Sequence, residues 1–195
     1  MMLFRRAAAR LALSGLMLTA AVLPTMSAAA ATWKLDPDKS KLGFSGIQTG
    51  TKFQGVFTRY EAAIEFDPDH LETSRITVSV DLASATTTDK QRDTALPGKD
   101  WFDVARFSTA KFDTREINRK GTDAYEALGT LTLRGVTAPL TLPFTLVIDG
   151  RSAHAKGHVE LNRHTFGIGQ GPWATDQWVA FEVGVDIDVA ATPGN

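Results

Sequence analysis

Val179-Ala180-Phe181-Glu182-Val183-Gly184-Val185-Asp186-Ile187-Asp188-Val189 places six apolar residues on its odd positions and small or acidic residues on its even ones. In an extended chain successive side chains point to opposite faces, so this alternation makes one dry face and one wet face. A helix would scatter the same residues around its axis. The stretch therefore predicts a half-buried strand, and its dry face needs other strands to cover it.

Moving outward, the same habit recurs. Ala155, Gly157, Val159 and Leu161 alternate with polar residues, as do Leu140, Leu142, Phe144, Leu146 and Ile148. Pro143 falls on an outward position of that second segment and has no N–H, so an edge or an irregularity is expected there. Further strands are predicted at Tyr125–Leu133, at Phe107–Thr114 with Ala110 and Phe112 on one face, and at Ile76–Leu82. A long one runs from Phe53 to Asp67, and a first one from Lys41 to Gln48 after the opening Trp33–Leu35. In the long strand Phe53, Gly55 and Phe57 are odd, whereas Tyr60, Ala62, Ile64 and Phe66 are even. A change of face requires an extra residue in the ladder, so a β-bulge is expected between Phe57 and Tyr60. Asp36–Ser40 and Asp67–His70 read as turns, each built on Asp-Pro-Asp.

One helical signal interrupts the strands. Thr88 with Gln91 fits a capping box, Asp89–Ala95 makes about two turns, and Pro97-Gly98 ends them. Lys99–Asp103 adds a further short turn. The pattern is all-β: eight mostly antiparallel strands, with a short helical insertion between the third and fourth. Such a set closes into a barrel or packs as a sandwich. At eight strands a barrel interior either fills with its own side chains or holds one small ligand.

Residues 1–30 read as a secretory signal peptide. Arg5, Arg6 and Arg10 precede the apolar run Leu11–Leu23, and Ser27-Ala28-Ala29-Ala30-Ala31 supplies small residues for a cut near Ala30 or Ala31. The run is too short to span a bilayer, which takes about 20 residues. Residues 31–195 then form one domain, expected in the periplasm. Without the leader the basic residues fall from 21 to 18 against 22 acidic, a net charge of −4. That argues against nucleic acid as a partner, because phosphate binding needs a basic surface. The chain has no cysteine, so an exported domain of this kind must rely on its core and its sheet.

Seven motifs in order carry a resemblance. They are Trp33-x-Leu35-Asp36-Pro37 with Ser40; Gly55-x-Phe57; Phe66-Asp67-Pro68; Arg92-Asp93-x-x-Leu96; Asp100-x-Phe102-Asp103; Leu131–Thr137 followed by Pro139; and Asn162-Arg163-x-x-Phe166-Gly167-Ile168-Gly169. The chain resembles the YceI-like family of exported lipid-binding barrels, and the similarity spans essentially all of residues 32–190. Ala95 stands where many members have histidine, so no head-group contact is carried over there, and Trp101 replaces a more usual phenylalanine. The resemblance implies a lipocalin-like antiparallel barrel holding an isoprenoid lipid, polyprenyl or quinone-type, with no covalent cofactor. By analogy it also suggests, as a partner, a membrane cytochrome that draws on the same quinone pool. Oligomeric state stays open, a homodimer included.

The alternation and the aromatic clustering nominate the ligand wall. Phe44, Phe57, Ile64, Val80, Leu96, Leu133, Phe144 and Phe181 are expected to point inward, with Trp101, Phe102, Phe107 and Phe166 at the closure. Trp173 and Trp178 lie nearby in sequence. Arg92 and Arg163 are the candidate head-group contacts, with Asp93 beside them. Hydrocarbon burial yields about 0.8 kcal/mol per CH₂, so five isoprene units could supply roughly 20 kcal/mol gross, and no elaborate polar motif is required.

Enzymatic readings find little support. His154 and His158 would converge on a helix, but on a strand their Cα atoms are about 13 Å apart, too far for one ion. Gly167–Pro172 lacks the spacing of a nucleotide loop, and no nucleophile elbow or cysteine is present. Two alternatives remain: an outer-membrane barrel, with its apolar face outward, and an enzyme acting on a lipid or quinone.

Overall fold

The computed structural model describes residues 30–194; the leader expected over residues 1–30 lies outside these except for Ala30. The strands are β1 (Thr32–Gln48), β2 (Thr51–Phe57), β3 (Tyr60–Glu65), β4 (Arg75–Asp81), β5 (Ala85–Thr86), β6 (Thr109–Arg119), β7 (Ala124–Leu133), β8 (Val136–Asp149), β9 (Ser152–Asn162) and β10 (Glu182–Pro193). One short helix, α1 (Lys90–Ala95), sits between β5 and β6. Eight of these strands close a ring in the order β1, β10, β9, β8, β7, β6, β4, β3 and back to β1, each pair antiparallel. The chain is thus a closed eight-stranded antiparallel barrel. β2 and β5 extend the wall at one end, β2 pairing with the second half of β1 and β5 with β2.

The expected change of face falls where the sequence puts it. The long second strand breaks at Thr58–Arg59 into β2 and β3, and the adjacent wall breaks opposite it in a 3₁₀ turn at Leu82–Ser84. Ser84 stitches the two breaks together. Its carbonyl accepts from Thr58 N–H at 3.2 Å, and its hydroxyl accepts from Arg59 N–H at 3.1 Å while donating to Asp81 O at 2.7 Å. Backbone groups that lose ladder partners thereby regain them.

Four expectations shift. Asp36–Ser40 is not a turn separating two segments but a wide bulge inside β1, since Asp36 pairs with Ala190 and Lys41 with Asp188. The helix is capped by Asp89, whose carboxylate accepts from Gln91 and Arg92 N–H, while Thr88 adopts a left-handed φ of 62°. A carboxylate at the N-cap also meets the positive end of the helix, which favours it over the threonine before it. The fourth predicted strand begins at Thr109 instead of Phe107 and runs on to Arg119. The decisive stretch itself is a strand only from Glu182, with Val179 forming an isolated bridge to Gln48.

Aromatic side chains close one end. Trp33 donates its indole N–H to Phe66 O at 3.1 Å, Phe66 meets Tyr125 edge-on at 5.5 Å, and Tyr125 stacks on Phe144 at 5.4 Å. The other end is covered by two segments, residues 90–107 and 163–180. They are tied together where Gly169 and Gln170 N–H both donate to Asp100 O, at 2.8 and 2.7 Å.

Candidate functional site

Inward residues of the strands enclose an apolar cavity of about 200 Å³ beneath the covered end. Leu42, Phe44 and Phe57 contribute from β1 and β2, Val80 from β4, Leu133 from β7, and Val183, Val185 and Ile187 from β10. Leu96, Trp101, Phe102, Phe166 and Ile168 roof it over. A second apolar chamber of about 120 Å³ lies toward the Trp33 end, walled by Ile64, Phe66, Phe144 and Ala153 among others. Val78, Phe112, Leu142 and Ile187 belong to both walls and form the waist between them. A water needs roughly 10–15 Å³ and two or more polar partners, so the larger space has room for water and nothing to hold it. Hydrocarbon is the chemistry that such a wall favours.

Ten of the twelve residues nominated from sequence for the wall line one chamber or the other, Ile64 and Phe144 the smaller one. Two do not. Phe107 lies outside both, with the Arg106 guanidinium 5.0 Å from its ring and Gly135 against its edge. Phe181 sits one residue before β10 begins, where alternation no longer controls direction, and it packs on His164 at 5.4 Å and on the Arg163 guanidinium at 5.1 Å. Sequence reasoning passed over Val159, Leu161, Leu140 and Leu142, although β8 and β9 carry the same alternation as the segments it used. It favoured aromatic residues, whereas the wall is largely aliphatic.

Arg163 belongs to the scaffold. Its guanidinium donates to four carbonyls: Ala180 O at 3.0 Å, Ile168 O at 2.8 Å, Thr175 O at 2.9 Å and Val179 O at 2.8 Å. Burial lowers its pKa, against an opposing pull from Asp176. With those donors spent on the covering loop, it is a clamp and has little left for a head group. It is the one charged residue in the larger cavity's wall among the described residues.

Arg92 is differently placed. It lines a polar vestibule outside the roof, together with Gln48, Lys52, Phe53, Asp89, Trp101 and Trp173. Its Nη1 donates to Gln48 Oε1 at 3.0 Å, its Nε to Thr87 Oγ1 at 3.2 Å, and its guanidinium lies 4.7 Å from the centre of the Phe53 ring. Phe53, Leu96, Trp101 and Val179 belong to both vestibule and cavity, so a polar group here would sit directly above the apolar space. Asp93 fixes the helix that carries Arg92, accepting from Thr86 Oγ1 at 2.6 Å and from Thr87 N–H and Oγ1 at 2.7 Å. Desolvation raises the Asp93 pKa, but those hydrogen bonds outweigh it and hold the carboxyl below its ordinary value.

Trp173 packs on Trp101 at 5.6 Å, while Trp178 is 49% exposed at the rim. His154 and His158 are exposed on the outer face of β9 and pair with Asp188 and Asp186 across on β10. The charged residues of β9 and β10 point outward and the apolar ones inward, which is the reverse of a barrel whose outside faces lipid.

Residues 33–191 match the YceI-like domain. A UPF0312 protein of Pseudomonas savastanoi pv. phaseolicola is 31% identical over 186 residues, covering 88% of this chain and 93% of that protein. Burkholderia cenocepacia BcnA has the same architecture in its crystal structure, with a TM-score of 0.79 at 30% identity over 82% of this chain and 100% of that one. A polyisoprenoid binding domain from Saccharophagus degradans implicated in plant cell wall breakdown gives a TM-score of 0.68, covering 84% of this chain and 99% of the domain. At 15% identity that last likeness shows the fold alone.

Proposed function

The chain belongs to the YceI-like domain family, and from that membership and the apolar interior we propose that it binds, stores or carries a long-chain isoprenoid lipid without transforming it. The single observation behind this reading is the two-chambered hydrocarbon-lined space inside a closed barrel. The reading also draws on the relationship in fold to a domain that binds polyisoprenoids. In it the isoprenoid tail occupies the cavity, and the polar end, a quinone ring or the head group of a polyprenyl lipid, meets Arg92 in the vestibule. The basic, then apolar, then small-residue leader supports export to the periplasm and cleavage near Ala30 or Ala31.

Mass spectrometry of a solvent extract from protein purified out of its native periplasm tests the proposal. One isoprenoid lipid per chain is expected. Repeated recovery of lipid-free protein, with no rise in melting temperature on adding a polyprenol, would overturn it.

A further inference from the structure

The barrel wall has a discontinuity beside the larger cavity. β8 pairs with β7 along its length from Val136 to Thr145. On its other side it pairs with β9 only from Phe144 opposite Gly157 to Asp149 opposite Ser152. Val136–Pro143 therefore has no ladder partner on the β9 side, and His158–Asn162 has none on the β8 side.

The sequence supplies the cause. Leu146 N–H donates to Asp123 O at 2.8 Å, so the even residues of β8 direct their peptide groups toward β7. The odd ones, Pro139, Thr141, Pro143 and Thr145, turn theirs toward β9. Were the register of Thr145 with Lys156 continued, Pro143 would face His158, Thr141 Glu160 and Pro139 Asn162. Two of those three positions have no N–H to give, so the ladder stops.

From the edges of this seam, Leu140 and Leu142 on one side and Val159 and Leu161 on the other reach directly into the cavity wall. A second interruption, between β1 and β3, opens instead onto a groove that carries Lys41, Arg59, Glu61 and Asp81. The ends are latched, one by Trp33 on Phe66 and the other by the Asp100 and Arg163 hydrogen bonds to the covering loop. Lengthwise passage of a long chain has to displace these latches or squeeze between Phe53, Leu96, Trp101 and Val179, which vestibule and cavity share. Sideways passage between Val136–Leu142 and Val159–Asn162 breaks no ladder pair, the last rung being Phe144 opposite Gly157.

We infer that the unpaired seam between Val136–Pro143 and His158–Asn162 is the side portal through which a hydrocarbon chain enters and leaves the cavity. This rests on the lipid-binding reading above. Its test uses Thr141→Cys together with Glu160→Cys, both outward and exposed, in a chain with no native cysteine. A disulfide there staples the seam if the Cα atoms come within about 4.4–6.8 Å. The probe is a dansylated geranylgeranyl chain, exchanged with phosphatidylcholine vesicles and followed by stopped-flow fluorescence.

The oxidised protein is expected to take up and release the probe at least about tenfold more slowly than the same protein after reduction, with its equilibrium occupancy unchanged. Pro139→Thr with Pro143→Thr, which restores the missing donors, is expected to slow exchange in the same direction, two recovered backbone hydrogen bonds being worth roughly that factor. Equal rates in the oxidised and reduced forms, or in the proline variant and wild type, would overturn the portal. Failure of every form to take up the probe is a different result and removes the lipid-binding reading itself.

Discussion

At the scale of single residues, a few side chains hold the cavity open and roofed. Arg163 ties four carbonyls of the covering segment. Arg163→Met leaves those acceptors unpaired in a buried place, so a loss of roughly 3 kcal/mol is expected in urea unfolding. Gly55 lies directly under the Phe44 ring, where a Cβ would collide with the ring edge. Gly55→Ala must displace that ring from the cavity wall. A cost of about 1–3 kcal/mol is expected, with weaker probe binding. His158 is held above the ordinary histidine pKa by its hydrogen bond to Asp186 first and by the one to Glu160 second. A value raised on folding means that this contribution is complete below about pH 6.5 and fades as pH rises through the folded-state value. An NMR titration of the His158 ring is expected to show a lower midpoint in Asp186→Asn than in wild type.

At the scale of elements, α1 and its approach illustrate how local chemistry positions a site. Asp89 caps the helix, and Asp93 anchors it to Thr86 and Thr87, which aims Arg92 at the vestibule. Asp93→Asn replaces a charged acceptor by a weaker one, and a loss of about 1–2 kcal/mol is expected by thermal unfolding. Since folding lowers the Asp93 pKa, the stabilisation is present above the ordinary aspartate value of about 4 and disappears as pH falls through the depressed one. The difference between wild type and Asp93→Asn should accordingly shrink in acid. β10 shows the same economy in a strand: its alternation sends Val183, Val185 and Ile187 to the cavity and Glu182 and Asp186 to water.

At the scale of the whole molecule, the barrel's stability and its capacity are linked through the apolar interior. A ligand that binds the folded state at one hundred times its Kd adds about 2.7 kcal/mol. Protein stripped of lipid should therefore melt lower, and readdition of a polyprenol should restore the melting temperature. Filling the space from within should separate capacity from fold. Val185→Trp, facing the larger chamber, is expected to abolish uptake of the geranylgeranyl probe while circular dichroism retains the β-sheet signal.

The sequence alone determined most of the strands, their inward faces, the change of face between Phe57 and Tyr60 and an irregularity at Pro143, because period-two alternation and the missing proline N–H are local properties of the chain. That this change of face is a break between two strands and not a bulge within one was decided by their different partners. The sequence also reached the aromatic roof through Trp101, Phe102 and Phe166. Only the tertiary structure decided that Arg163 is a clamp, that Phe107 and Phe181 fall outside the cavity, and that Val159 and Leu161 face Leu140 and Leu142 across an unpaired seam. Alternation assigns a side chain to a face but not to a partner. Partners are fixed by register and ring closure, which bring together residues remote along the chain.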